Sequence, residues 1–297
     1  MSAIPAITVE PEVQSTRTFR HVLSVIVRDP LSLASTIVII LFVLVAVFAP
    51  LVAPSPAEGA GKTNVPNRMM APSLAHPLGT DRLGRDMLSR IIMGARSALI
   101  VPIGVVLFAI LIGAALGAIA GYKGGWLDEV IMRITDLFLA FPSLLLAMAI
   151  TASLGRGLQN AAIALVVSWW PWYTRLVRGV TVSLRERYFI EAAQATGVRD
   201  SVIILRHILP NTISPVLVQA TVDLGTVILA MGSLGFLGLG TQPPLPDWGL
   251  MVSEGRDFIL NQWWISVFPG VAIFIVVLAF NLLGDTLRDI FDPRQYR

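Results

Sequence analysis

Residues 97–122 read SALIVPIGVVLFAILIGAALGAIAGY, a run without a single charged side chain. A helix needs about 20 apolar residues to cross the hydrocarbon core of a bilayer. This run meets that length, and it sets the fold class as membrane-spanning and helical. Gly113, Gly117 and Gly121 recur at every fourth position within it. Small residues at that spacing let two helices approach closely, which lipid alone gives apolar helices little reason to do. The stretch therefore predicts a packed bundle, although it does not name the partner helix.

Five further spans follow outward from this one: Leu31–Ala53, Ile134–Leu154, Leu158–Val177, Ile213–Leu239 and Ile265–Leu287. The expected fold is an all-α membrane protein of about six transmembrane helices. The first span is too long for the apolar region of a cleaved signal peptide, so it reads as an uncleaved helix. The expected organisation is a cytoplasmic tail over 1–30, a first helix over 31–54, an extracytoplasmic loop over 55–94, a helical core over 95–288 and a cytoplasmic tail over 289–297.

Composition agrees. Hydrophobic residues make up 55% of the 297 positions and charged residues 14%, against roughly a quarter charged in soluble domains. The chain has no cysteine, which excludes disulfide frameworks, thiolate nucleophiles and cysteine-ligated metal. Its three histidines, His21, His76 and His207, are far apart, and no metal site is expected. A net charge of +3 with two lysines carries no nucleic-acid-binding signature.

Six spans put both termini on one side. With that side cytoplasmic, the inner segments hold Arg17, Arg20, Arg28 and most of the other basic residues, a modest positive-inside bias. Five arginines near the first external loop oppose it, and long loops tolerate such charge. Trp169, Trp170, Trp172 and Tyr173 precede Arg175 and Arg178 at the inner end of the fourth span. The cluster reads equally as an interfacial anchor and as rings packed on neighbouring helices.

Residues 59–63, GAGKT, invite a nucleotide-binding reading. The phosphate-cradling loop needs a glycine at position 56, where this chain has Pro56, and it must join a strand to a helix. A flexible external loop is the expected structure, and no ATP site is expected in this chain.

Residues 183–211, SLRERYFIEAAQATGVRDSVIILRHILPN, form the longest informative polar stretch. They predict two short helices: Glu191–Ala195 supplies helix formers with a small-residue face, and Gly197 can end the first helix in the left-handed conformation. Asp200 or Ser201 is expected to cap the second, and Pro210 to stop or bend the chain before the fifth span. Such a hairpin suits either a docking element or an amphipathic connector on lipid.

The hairpin resembles the EAA loop of permeases from ATP-binding-cassette (ABC) importers, E-A-A-x3-G-x9-I-x-L-P. Glu191, Ala192, Ala193, Gly197, Leu209 and Pro210 fall at those spacings, and His207 replaces the isoleucine. His76–Asp81 with Gly84-Arg85-Asp86 and Ser89-Arg90, Gly235–Gly240 continuing to Trp248-Gly249, and Gly284–Asp289 with Asp292-Pro293-Arg294 resemble segments of the C-type subunit of dipeptide, oligopeptide and nickel permeases.

The resemblance implies a type I importer core over 95–288, preceded by an extra helix. It also implies partners: a second, B-type permease, one or two cytoplasmic ATPase subunits binding ATP and Mg, and an extracytoplasmic peptide-binding protein. The importer would carry dipeptides or oligopeptides, or in related systems nickel chelates, glutathione or another small solute. This chain itself would be no enzyme and hold no cofactor. Glu191–Gly197 would dock the ATPase, with His207, Leu209 and Pro210 fixing the hairpin to the fifth span.

Two acids lie in the spans. An ionised carboxylate at mid-membrane is costly unless it meets water or a partner, so Asp223 is a candidate for the translocation pathway or for a structural hydrogen bond. Asp136 is a second pathway candidate, or pairs with Arg133 one turn away. The stiff external stretch Pro243, Pro244, Pro246 and Trp248 is a candidate contact for the binding protein or the outer gate, or a short re-entrant connector. An ion-coupled secondary transporter is the rival class, and it would need several polar groups near the midplane.

Overall fold

A computed structural model describes residues 26–291. The expected tail residues Arg17 and Arg20, and Asp292-Pro293-Arg294, lie outside the described residues.

Nine helices of eight or more residues carry the described fold: α1 (Pro30–Val47), α2 (Met87–Lys123), α3 (Gly125–Leu139), α4 (Ser143–Leu154), α5 (Leu158–Arg185), α6 (Tyr188–Ala195), α7 (Leu209–Phe236), α8 (Trp248–Gly255) and α9 (Trp264–Phe291). No strand occurs among the described residues; Thr80 and Asp86 form one isolated bridge. Helix starts follow local chemistry. Asp29 accepts from Ser32 N at 2.8 Å ahead of Pro30, and Asp86 accepts from Ser89 N at 2.8 Å at the head of α2. These side chains satisfy donors that the first helical turn leaves free.

Four segments are long and apolar enough to cross a membrane: α1, α2, the run from Asp200 into α7, and α9. A fifth span results if α3 and α4 count as one, and these are bent by 86° at their break. The third expected span, Ile134–Leu154, is thus divided. Pro142 cannot continue a helix and pushes Phe141 away from helical geometry, leaving α4 with 12 residues. The fourth expected span sits in α5, whose 28 residues include tryptophans, arginines and hydroxyls. Eleven residues of α5 are buried against the rest of the chain, which relieves that face of the need to be apolar throughout. Its buried Ser168 and Thr181 bond back to the carbonyls of Ala164 and Val177 at 2.8 and 2.7 Å.

The most extensive packing joins α2 to α5. A Cβ on Gly113 would lie 2.5 Å from Tyr173 Cβ, and one on Gly121 would lie 2.7 Å from Thr181 Cβ. The glycine ladder is therefore used within the chain. Around it lies one core of Val105, Ala109, Leu165, Tyr173, Val177 and Leu234. A second core gathers Phe42 of α1, Met87, Trp248 and Met251 of α8, and Trp264 and Phe280 of α9.

α2 has 37 residues, about 55 Å at helical rise, and so outruns a hydrocarbon core of about 30 Å. It ends where Gly124 takes φ +65° and hands the chain to α3. One end of the bundle carries the α6 hairpin. The other carries residues 55–86 and α8.

Candidate functional site

The hairpin forms as two arms, with corrections in the second. α6 ends at Gly197, whose φ is +77°. Gly197 N and Val198 N bond the carbonyls of Gln194 and Ala193, each at 3.0 Å, a left-handed helix end that suits glycine. No neighbouring atom lies within 4 Å of a Cβ built there, so backbone conformation alone asks for glycine. Asp200 and Ser201 do not cap the second arm. Arg199 occupies that position without a side-chain bond, because Asp200 turns to α2 instead. Pro210 does not stop the chain: a helical turn over Asp200–Ile203 passes through a π-helical turn, Ile204–Ile208, directly into α7. The π-helical turn lies just ahead of this proline, which has no backbone donor of its own.

Ile190, Ile203 and Ile208 are fully buried beneath the hairpin. Glu191, Ala192, Ala195 and Gly197 are exposed on it, Ala193 is half-buried, and Tyr188 and Phe189 are exposed beside them. His207 lies 6.5 Å from the Phe189 ring, joining the two arms. Leu209 packs on the core below, and Pro210 is exposed. Glu191, Ala192 and Gly197 thus stand together on one accessible knob.

Its seat is a polar strap absent from the sequence reading. Tyr122 Oη donates to Asp200 Oδ1 at 2.9 Å, and Gln194 Nε2 donates to Tyr122 Oη at 3.2 Å. Lys123 Nζ pairs with the other Asp200 oxygen, and Arg185 donates to the Tyr122 carbonyl at 3.4 Å. The available signal was the polar Tyr122-Lys123 pair closing an apolar run.

Asp136 does not pair with Arg133. Arg175 of α5 reaches it at 2.6 Å, while Arg133 meets Glu129 at 3.6 Å. One turn on, Arg178 grips Asp128 through two bonds of 2.5 and 2.6 Å. The basic end of α5 is therefore largely consumed in holding α3. Trp169, Trp170 and Tyr173 are buried, and only Trp172 of that cluster is exposed, so packing accounts for three of the four rings.

Asp223 is 7% exposed, facing helix α5 within the chain and not an open surface. Gln219 donates to its Oδ1 at 3.1 Å. Tyr173 and Trp169 stand beside it, but neither Tyr173 Oη nor Asp223 Oδ2 reaches hydrogen-bond geometry among the described residues.

At the opposite end, Trp248 is not presented outward. It is 5% exposed, stacks near Phe42 at 5.8 Å and donates to Ile91 O at 2.9 Å. Pro243 and Pro244 are exposed and Pro246 is half-buried. Asp247 caps α8, accepting from Leu250 N at 2.9 Å and from Thr241 Oγ1 at 3.1 Å. Burial pushes its carboxyl above the usual carboxylate range. Arg85 and Arg90, each 1% exposed, lie between Asp81 and Glu254: Arg85 Nε is 2.6 Å from Asp81, and Arg85 and Arg90 are 3.4 and 3.8 Å from Glu254. Residues 59–63 follow one helical turn over Pro56–Gly59, with no strand before them, and Gly61 folds against Pro244.

Comparison with known proteins gives this architecture a family. The family described as binding-protein-dependent transport system inner membrane component matches residues 113–297. The N-terminal TM domain of oligopeptide transport permease C matches residues 18–74. The chain is 49% identical over 267 residues to the dipeptide transport system permease protein of Alkalihalophilus pseudofirmus, covering 90% of this chain and 87% of the relative. It is 41% identical over 266 residues to the probable D,D-dipeptide transport system permease protein of Escherichia coli K12, covering 90% and 88%. It is 45% identical over 271 residues to the glutathione transport system permease protein of Shigella boydii, again covering 90% and 88%. Its fold is similar to a chain of the inward-facing MetNI methionine ABC transporter, with a TM-score of 0.55 at 21% identity, covering 68% of this chain and 96% of that one. The hairpin-bearing helical bundle is therefore a multi-pass inner-membrane ABC importer permease, and the chain belongs to the binding-protein-dependent transport system inner membrane component family, in its C-type oligopeptide and dipeptide branch.

Proposed function

We propose that this chain forms half of the pathway through which a short peptide enters the cell, and that an ATPase grips it at Glu191–Gly197. The observation that carries the docking reading is the exposed knob standing on buried Ile190, Ile203 and Ile208. Its small Ala192 and Ala193 permit close approach, and His207, Leu209 and Pro210 hold it to α7. Both termini and the hairpin face the cytoplasm in this reading. The other half of the pathway is a homologous B-type permease. ATP and Mg belong to one or two ATPase subunits, and this chain binds no cofactor and hydrolyses nothing itself. An extracytoplasmic peptide-binding protein delivers the cargo, with exposed Pro243 and Pro244 as a contact at the far end.

Relatives named for dipeptides, D,D-dipeptides and glutathione support short peptides as cargo. Glutathione, itself a tripeptide, is the second reading, on the strength of 45% identity over 271 residues. Asp223 serves in this reading as a buried group bonded within α7 by Gln219, not as a substrate contact.

The test is reconstitution of the complete importer in proteoliposomes with Gly197→Pro. Proline fixes φ near −65°, incompatible with the +77° held here. Peptide uptake is expected to stop while the bundle still assembles. Undiminished uptake in that variant, or labelling of residue 197 from outside intact cells, would overturn the docking role.

A further inference from the structure

We propose that α2 is the tie-rod of the importer, with Tyr122 and Lys123 as positioning residues that pass hairpin movement to the opposite end of the bundle. The inference rests on the ATPase-docking role given to the hairpin above and adds the route by which that grip is transmitted.

Tyr122 is the point where both hairpin arms meet the bundle. Its hydroxyl receives Gln194 from α6 at 3.2 Å and donates to Asp200 of the second arm at 2.9 Å. The ring is buried, and Lys123 holds the second oxygen of Asp200. A shift of either arm therefore pulls on the last turn of α2. That helix is continuous from Met87 to Lys123, through Pro102. Gly113, Gly117 and Gly121 seat it against α5 so closely that added Cβ atoms would come within 2.5–2.7 Å of α5 atoms. Packed interiors transmit strain and do not deform smoothly, so the rod moves as a body.

At its far end α2 is locked to the elements that would open there. Arg90, one turn inside α2, faces Glu254 of α8 at 3.8 Å, and Arg85 reaches the same carboxylate at 3.4 Å. Trp248, the first residue of α8, donates to the Ile91 carbonyl on α2 at 2.9 Å. Displacing α2 thus displaces α8 and the exposed Pro243–Pro244 turn that precedes it. A rigid element with a distinct anchor at each end is one physical route by which two sites become coupled.

The test uses the complete importer in proteoliposomes, with ATP hydrolysis and peptide uptake measured together. The variants are Tyr122→Phe, Lys123→Met, and the charge exchange Lys123→Asp with Asp200→Lys. Tyr122→Phe keeps the buried ring and removes only the two hydroxyl bonds of the strap, to Asp200 and Gln194. Tyr122→Phe and Lys123→Met are expected to retain the ATPase and its hydrolysis. Uptake per ATP should fall by about three- to fivefold, the scale of a half-exposed polar contact. The exchanged pair should recover at least half of the loss seen with Lys123→Met. Uptake per ATP equal to wild type in both single variants would overturn the proposal. So would hydrolysis and uptake falling in step with no recovery in the exchanged pair, the mark of a merely structural role. Failure of the wild-type chain to bind any ATPase would instead overturn the docking role.

Discussion

A Cβ atom on Gly117 would lie 2.5 Å from the carbonyl oxygen of Thr174. Backbone meets backbone there, with no flexible side chain able to yield. Gly117→Val should separate α2 from α5 at a cost of about 3 kcal/mol, the upper range for overfilling a packed interior. Gly104→Ala is the control, since its added Cβ meets nothing within 4 Å. Thermal unfolding in detergent should show a large fall for the first and no loss for the second.

Glu254 is the shared acid of two buried arginines. Glu254→Gln leaves Arg85 and Arg90 with Asp81 as their remaining carboxylate, and breaking a buried ion pair from one side costs about 3 kcal/mol or more. Arg82, half-exposed and 3.3 Å from Glu254, is a different case. Arg82→Ala should change stability by less than about 1 kcal/mol. Denaturant titration of the two variants should separate them clearly.

Trp248 combines burial with a hydrogen bond across to α2. Trp248→Ala should cost about 4 kcal/mol. Trp248→Phe retains the ring against Phe42 and loses the Ile91 bond, at about 1 kcal/mol plus the smaller ring's packing deficit. Protease sensitivity of residues 241–255 should rise most in Trp248→Ala and less in Trp248→Phe.

Asp247 supplies a pH-dependent prediction. Burial raises its carboxyl above the ordinary value, so the folded state binds the proton more tightly than the unfolded chain does. Its stabilising contribution is present at low pH and lost as pH rises through the folded value. Asp247→Asn keeps an oxygen for Leu250 N while removing the buried charge. The variant should be more stable than the native chain at neutral pH. That advantage should shrink as pH falls towards about 4, where the unfolded aspartate also takes up its proton. Unfolding measured from pH 4 to 8 checks the sign.

Apolar length was legible for α1, α2, α7 and α9 because a bilayer imposes a minimum run. Gly197 was legible as a helix end for a reason intrinsic to its backbone. The 86° break was not read, although Pro142 lay within the span. A window of apolar residues reports burial in lipid and carries no direction. The strap escaped for a different cause. Asp200 is 77 positions from Lys123 and 78 from Tyr122, and a local rule gave its carboxylate to the nearest helix start. Asp136 repeats the lesson, where Arg175, distant in sequence, prevails over Arg133 on the same helix. Trp248 stood as a candidate contact for the binding protein or outer gate, or as part of a re-entrant connector, and nothing local reveals that α8 folds it back under α1.

The corner between α3 and α4 also bears on what the backbone can expose to lipid. Ala140, Phe141 and Pro142 are exposed there, and α4 is only about 18 Å long, shorter than the oily layer it enters. A helix that ends early leaves its last carbonyls without ladder partners, and fatty acyl chains offer them none. Here Asn160 Nδ2 reaches back to the carbonyls of Leu154 and Gly155 at 3.1 and 3.0 Å, so the first turn of α5 supplies what the lipid would not.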